Sequence, residues 1–127
     1  LVLHIIFKSM IHEEICTYEV CKLAKEKGFD EYVEAFYAED CNIPHIQGPE
    51  KWNEYKGRYA ATTQSLLQRW LREEKGLHIT VPFDPNEFWW QIKNLANGDV
   101  AYGEVLGFAT YELALEDALK YALENLV

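Results

Sequence analysis

The fold is decided by residues 62–83, which read TTQSLLQRWLREEKGLHITVPF. Thr62 or Thr63 can cap a helix whose apolar residues recur at helical spacing, namely Leu66, Leu67, Trp70 and Leu71. Gly76 can take the left-handed conformation that commonly ends a helix. After it, apolar and polar side chains alternate over residues 77–83, which is typical of a half-buried strand that stops at a proline. The stretch therefore predicts a helix followed directly by a strand.

Two more strands are predicted downstream. Residues 88–95 carry large apolar side chains on both faces of a strand, and Asn97-Gly98 is a strong hairpin signal. A third strand then lies within residues 100–109. Gly103 and Gly107 inside it indicate a bulge or a close approach of the backbone to a neighbouring group.

The chain closes with a helix over residues 111–125, capped by Thr110 and apolar along one face. The second half thus reads α-β-β-β-α. This order predicts an α+β fold, with one antiparallel three-stranded sheet covered on one face by two helices.

The first half is less regular. A helix begins after Thr17 and ends at Gly28, and residues 30–38 are interpreted as a second short helix. Residues 40–59 carry prolines, glycines and aromatic side chains, which predicts an irregular segment that packs onto the rest of the protein. Residues 1–9 are interpreted either as an extension before Met10 or as an additional edge strand.

The 127 residues predict a single domain, and their net charge of −9 disfavours partners with phosphate backbones. The α-β-β-β-α order is also that of double-stranded-RNA-binding domains, which contact phosphates with lysines at the start of the last helix. Here that helix begins with Glu112, Glu116 and Asp117 instead, which would repel RNA. No segment has the length and apolarity of a membrane span. The sequence therefore predicts neither nucleic-acid binding nor membrane insertion.

A zinc site is the strongest metal hypothesis, with five candidate ligands drawn from the histidines and cysteines of the first half: His12, Cys16, Cys21, Cys41 and His45. Their spacing matches no standard zinc motif, and cysteine is often buried simply as a small apolar residue. Cys41 with His45, or Cys16 with His12, could pair a nucleophile with a base, but neither pair has a recognisable catalytic context. We expect no metal and no cofactor, and the sequence favours a non-enzymatic protein over an enzyme.

Aromatic side chains indicate a binding surface. In the strand over residues 88–95, Trp90 is expected to face the helices, which leaves Trp89 on the opposite face with His78, Gln91 and Lys93. The aromatic side chains of the irregular segment, Trp52, Tyr55 and Tyr59, are available to meet Trp89. Trp89 is then either covered by that segment, which is the commoner outcome, or exposed as a binding platform.

Three stretches carry a resemblance to known sequences: residues 18–29 (YEVCKLAKEKGF), 63–81 (TQSLLQRWLREEKGLHITV) and 111–123 (YELALEDALKYAL). They resemble small proteins of unassigned activity that phages and mobile elements of gut Bacteroidota encode. The resemblance covers most of the chain after Met10 and is looser over residues 40–59 and 84–104. It implies a protein of the bacterial cytoplasm and supplies no site residues.

Two functions remain open from the sequence. The first is a non-enzymatic binding module, phage-encoded and directed at a host protein or at a second copy of itself, in which the acidic surface steers the chain towards basic patches. The second is a small-molecule-binding protein or small enzyme that uses an aromatic pocket.

Overall fold

The computed structural model describes residues 13–103 and 107–127, so the prediction for residues 1–9 and the candidate ligand His12 lie outside the described residues. Three helices are present in the described part of the chain: α1 (Tyr18–Glu26), α2 (Gln64–Lys75) and α3 (Tyr111–Asn125). None of these helices combines the length and apolarity that crossing a bilayer requires.

Each helix begins at the threonine that the sequence predicts. The hydroxyl oxygens of Thr17, Thr63 and Thr110 accept backbone N–H groups three residues ahead, at 3.3, 3.2 and 3.1 Å. Such a cap satisfies one of the amides that the first turn leaves without a partner. Gly76 ends α2 in the left-handed conformation, with φ of 66°. The local capping signals are therefore confirmed.

The second half confirms the predicted α-β-β-β-α order. Strands β4 (Leu77–Thr80), β5 (Gln91–Asn94) and β6 (Val100–Tyr102) form an antiparallel meander, the second sheet, between α2 and α3. Gly98 has φ of 80° in the turn that joins β5 to β6, and its amide donates to the Asn94 carbonyl at 2.8 Å. Strands β4 and β5 are shorter than the alternation predicted. Phe83 lies after the end of β4 and Phe88 before the start of β5, and the two residues are joined only by an isolated bridge.

The first half corrects two predictions. Residues 30–38 do not form a helix, since Val33–Ala38 is strand β1, and residues 40–59 are not irregular, since they hold β2 (His45–Glu50), a 3₁₀ turn (Trp52–Glu54) and β3 (Arg58–Ala60). These strands form an antiparallel first sheet in the order β2-β1-β3. In a short apolar run the hydrophobic periodicity does not distinguish a helix from a strand. Residues 33–38 form a strand because they pair with strands that are distant in the sequence.

The α+β class is confirmed, but the described residues contain two three-stranded sheets rather than one. Helix α1 packs against β3 and α3, while α2 and α3 pack against β4, and α3 also meets β5. The helices thus lie between the two sheets. Their shared core includes side chains at most 2% exposed: Leu67, Leu71, Leu77, Ile92, Leu119 and Leu123. This arrangement leaves the far face of the second sheet without a helix from the described residues.

Candidate functional site

The face of the second sheet that points away from the helices is the candidate functional surface, called the outer face below. Residues directly opposite each other on neighbouring strands share a face, and the pairs are His78 with Lys93, Thr80 with Gln91, and Gln91 with Tyr102. The alternate residues point into the core, where Ile79 and Ile92 are 2% and 1% exposed. Three of the predicted site residues, His78, Gln91 and Lys93, therefore lie together on the outer face.

Trp89 extends this surface into an open cleft of about 520 Å³ at the end of the sheet. The residues that line the cleft are mainly aromatic residues and prolines: Pro82, Asp84, Pro85, Trp89, Trp90, Gln91, Tyr102 and Gly103. Its volume falls in the range of small-ligand sites, roughly 300–1,000 Å³. Tyr102 is 68% exposed at its rim. The cleft is therefore accessible from solvent over a largely apolar lining.

A tight turn over residues 82–89 holds Trp89 in place. The Asp84 amide donates to the Glu87 carbonyl at 2.9 Å, and the Trp89 amide donates to the Pro82 carbonyl at 2.9 Å. The indole N–H of Trp89 donates to the Asp84 carbonyl. With both of its N–H groups bonded to the turn, Trp89 presents a fixed ring to the cleft.

Trp90 points the other way and anchors the sheet to α3. Its indole N–H donates to the Asp117 carboxylate at 2.8 Å, and its ring centroid lies 5.0 Å from that of Tyr121. A β-carbon on Gly103 would lie 2.8 Å from the Trp90 indole nitrogen, closer than packing allows. The close approach predicted at Gly103 is thus confirmed, and the glycine there leaves room for the indole.

The other predicted aromatic residues belong to the first sheet. Trp52 is buried, with its indole N–H donating to the Val33 carbonyl at 3.0 Å. The Arg58 guanidinium lies 5.5 Å from the Trp52 ring and 5.4 Å from the Tyr55 ring. The rings of Trp52 and Tyr55 thus already pack against a cation of the protein itself. We interpret the pair as packing for the first sheet.

Tyr59 is also engaged within the protein. Its hydroxyl donates to the Glu39 carboxylate, and that hydrogen bond raises the pKa of Tyr59 to about 12. The Lys25 ammonium lies 4.9 Å from the centre of the same ring. The ring also meets Tyr18 edge-on at 5.5 Å. Tyr59 therefore holds α1 against β3.

The prediction that residues 41–59 cover Trp89 is wrong. That segment pairs with β1 in the first sheet, whereas Trp89 stands beside the turn at Pro82 and Pro85 and beside Tyr102. The physical reason is that β2 and β3 satisfy their backbone groups on β1. The predicted site therefore divides into a packed cluster on the first sheet and an open cleft on the second.

The candidate metal ligands do not come together within the described residues, where no group of three His, Cys, Asp or Glu side chains is arranged to hold an ion. Cys16 and Cys21 are buried, and the Cys21 thiol donates to the Cys16 carbonyl at 3.7 Å. A hydrogen bond with the Cys21 side chain, together with burial, raises the pKa of the Cys16 thiol, which keeps it protonated.

The other two candidates lie on the first sheet. The Cys41 thiol donates to the Ile43 carbonyl at 3.6 Å. The His45 ring stacks on Phe36 with centroids 5.3 Å apart and an angle of 16° between the planes. Both side chains thus have local packing roles, and His12 lies outside the described residues.

Of the eight residues that line the cleft, the sequence-based site prediction included Trp89 and Gln91 and missed six: Pro82, Asp84, Pro85, Trp90, Tyr102 and Gly103. Tyr102 had a usable signal. The hairpin at Asn97-Gly98 joins two strands, and pairing Lys93 with Val100 sets Tyr102 opposite Gln91 on the same face. That register depends on a loop of four residues between Asn94 and Asp99, which the Asn-Gly signal alone does not specify.

Searches against protein-family models, curated proteins and solved structures found no match for this chain.

Proposed function

We propose that this protein is a non-enzymatic binding module that holds a protein segment in the Trp89 cleft. The observation that carries the proposal is the cleft itself, where a fixed Trp89 ring and an exposed Tyr102 ring stand over an apolar lining. Aromatic side chains are enriched in binding surfaces because they bury a large area at a low cost in conformational entropy.

The residues around the cleft favour binding over catalysis. Within the described part of the chain, Asp84 and Tyr102 are the only titratable side chains among the cleft residues. General acid–base or nucleophilic chemistry needs a nucleophile or base oriented by a partner within hydrogen-bonding reach. The cleft has neither a histidine nor a thiol in its lining, so binding is the function that this arrangement supports.

The shape favours a protein segment over a small molecule. Small-molecule sites enclose most of their ligand, whereas this cleft is open and shares Gln91 and Tyr102 with the outer face, where Val100 and Tyr102 are 40% and 68% exposed. An extended segment can occupy the cleft and continue across the sheet. The net charge of −9 adds a preference for basic partners.

A random library of twelve-residue peptides, panned against the immobilised protein, tests the proposal. We expect selected peptides that bind the parent and lose binding to Tyr102→Ala. Tyr32→Ala is the matched control, because Tyr32 is a similarly exposed tyrosine, 63% accessible, on the first half of the chain. The proposal would be contradicted if the selected peptides bound Tyr102→Ala with the same affinity as the parent. A small molecule retained in native mass spectrometry and displaced by Trp89→Ala would favour the small-molecule alternative.

On the resemblance of its sequence alone, we further propose that the chain is encoded by a phage or mobile element and acts on a host protein in the bacterial cytoplasm. Sequencing of the flanking DNA tests the origin. Neighbouring phage or transfer genes would support it, and a purely metabolic chromosomal neighbourhood would contradict it.

A further inference from the structure

The geometry points to a proline-rich segment that carries a basic residue as the occupant of the Trp89 cleft. This inference rests on the proposed function and names the chemistry of the partner. It combines two features that share Trp90 and Tyr102: the apolar cleft, and an acidic crevice of about 200 Å³ beside it.

The apolar cleft suits proline rings. Segments in the polyproline II conformation dock into aromatic-lined grooves, because their rings pack flat on aromatic faces and the segment is already extended before it binds. Trp89 is held by hydrogen bonds from both of its N–H groups to the turn at Pro82 and Asp84. Little ordering of the groove is therefore needed on binding.

Gln91 supplies the polar contact that such a ligand needs. Gln91 lines the cleft together with Trp89 and Tyr102, and it lies opposite Tyr102 on the outer face. A proline-rich segment has backbone carbonyls but few N–H groups, and it makes no internal hydrogen bonds. An amide N–H donor beside two aromatic rings matches that pattern.

The adjoining crevice determines the sign of charge that the ligand carries. Its charged side chains are Asp117, Lys120 and Glu124. The Lys120 ammonium is already paired with Glu19, at 3.0 Å, so its charge is compensated. Asp117 accepts from the Trp90 indole, which is a neutral donor and so does not compensate the charge of a carboxylate. Asp117 and Glu124 together therefore favour an arginine or lysine, and they repel acidic or phosphorylated segments.

Three synthetic peptides test the inference on the full chain by titration monitored with ¹H–¹⁵N NMR. The first is hexaproline followed by two arginines, the second replaces the arginines with glutamates, and the third replaces the prolines with alternating glycine and serine. We expect the first peptide to shift the indole signals of Trp89 and Trp90 and to bind at least about 10-fold more tightly than either of the others. Equal affinity for the arginine and glutamate peptides, or for the proline and glycine–serine peptides, would overturn the inference.

Variants then separate the two halves of the site. Tyr102→Ala should weaken the first peptide about 10-fold, and Asp117→Asn combined with Glu124→Gln should remove its preference for arginine over glutamate. Asparagine keeps an oxygen that can accept from the Trp90 indole, so the substitution removes charge with little change in packing. Tyr32→Ala is the control and should bind normally. Unchanged affinity in Tyr102→Ala would overturn the inference.

Failure of this inference differs from failure of the proposed function. If library peptides depend on Tyr102 but the hexaproline–arginine peptide does not bind at about 2 mM, the binding module stands and the ligand class is wrong. If no library peptide depends on Tyr102, both are wrong.

Discussion

Trp89 and Trp90 are neighbours in the chain and differ in burial, although both line the open cleft. Trp90 is 2% exposed and its indole is bonded to Asp117, whereas Trp89 is only half-buried. Successive side chains of an extended segment point to opposite faces, so a pair of large rings places one ring outside the helix-covered core. The alternation was readable from the sequence; what surrounds the outer ring was not.

Leu119→Asp is expected to be among the most damaging single substitutions. Leu119 is fully buried on α3, so the change places an unpaired carboxylate in the core at a cost of about 3–5 kcal/mol. Thermal and urea unfolding measure the loss. Leu113→Asp is the control, since Leu113 lies on the same helix and is 56% exposed. If the two variants unfolded alike, the assignment of the buried face of α3 would be wrong.

Glu54→Gln is expected to raise the melting temperature slightly at pH 7. A hydrogen bond with Asp30 and the charge of Asp30 raise the pKa of Glu54 above its ordinary value of 4.5, because the two carboxyl groups share a site. One oxygen of the Asp30 carboxylate is buried without a hydrogen-bond partner, and a glutamine amide can donate to it.

The pH dependence of that effect has a definite sign. Folding favours the protonated form of Glu54, so its stabilising contribution is complete below the unfolded pKa and is lost as the pH rises through the higher folded pKa. The difference between Glu54→Gln and the parent should therefore be largest at neutral pH and shrink towards pH 4. Glu34→Gln, at an exposed position on β1, is the control. A difference that grows on acidification would show that the two carboxyl groups do not compete.

At the scale of elements, Glu116 joins the beginnings of two helices to the middle of a third. From its place on α3 its carboxylate accepts the backbone N–H and hydroxyl of Thr17, at 2.8 and 2.9 Å, and the amide of Gln64 at 2.8 Å. A carboxylate at a helix N-terminus satisfies unpaired amides and interacts favourably with the helix dipole. Glu116 therefore fixes how α1 and α2 meet α3.

Glu116→Ala is expected to destabilise the protein by about 2 kcal/mol, because it removes these three hydrogen bonds while part of the network stays accessible to water. Denaturant unfolding measures the change. Glu124→Ala is the control, as an exposed glutamate on the same helix. Equal stability of the two variants would mean that water replaces Glu116 without loss.

At the scale of the whole molecule, the purified protein is expected to carry no stoichiometric zinc. The thiols of Cys16 and Cys21 are buried together, and Cys41 and His45 pack locally on the first sheet. Elemental analysis should find well under one zinc per chain, and EDTA should leave the melting temperature unchanged. One zinc per chain that is lost in Cys41→Ser would contradict this prediction.

The secondary-structure prediction failed for strands whose pairing partners are distant in the sequence. Residues 33–38 have a mixed apolar pattern, and they form a strand because β2 and β3 pair on both sides of it. Pro49 and Gly48 suggested a loop, yet β2 is an edge strand, where a proline costs no ladder hydrogen bond on its open side. The first sheet therefore takes up residues for which the sequence indicated an irregular segment.

The sequence by itself determined where α1, α2 and α3 begin, the α-β-β-β-α order of the second half and the inward direction of Trp90. These features depend on contacts within a few residues, such as a threonine cap or a glycine at positive φ, so neighbouring residues encode them. Only the tertiary structure decided that β1 is a strand, that Glu116 bonds to Thr17 across 99 positions, and that Pro82 and Tyr102 form a cleft around Trp89. Those features depend on which distant surfaces bury each other, and no local pattern in a single sequence specifies that pairing.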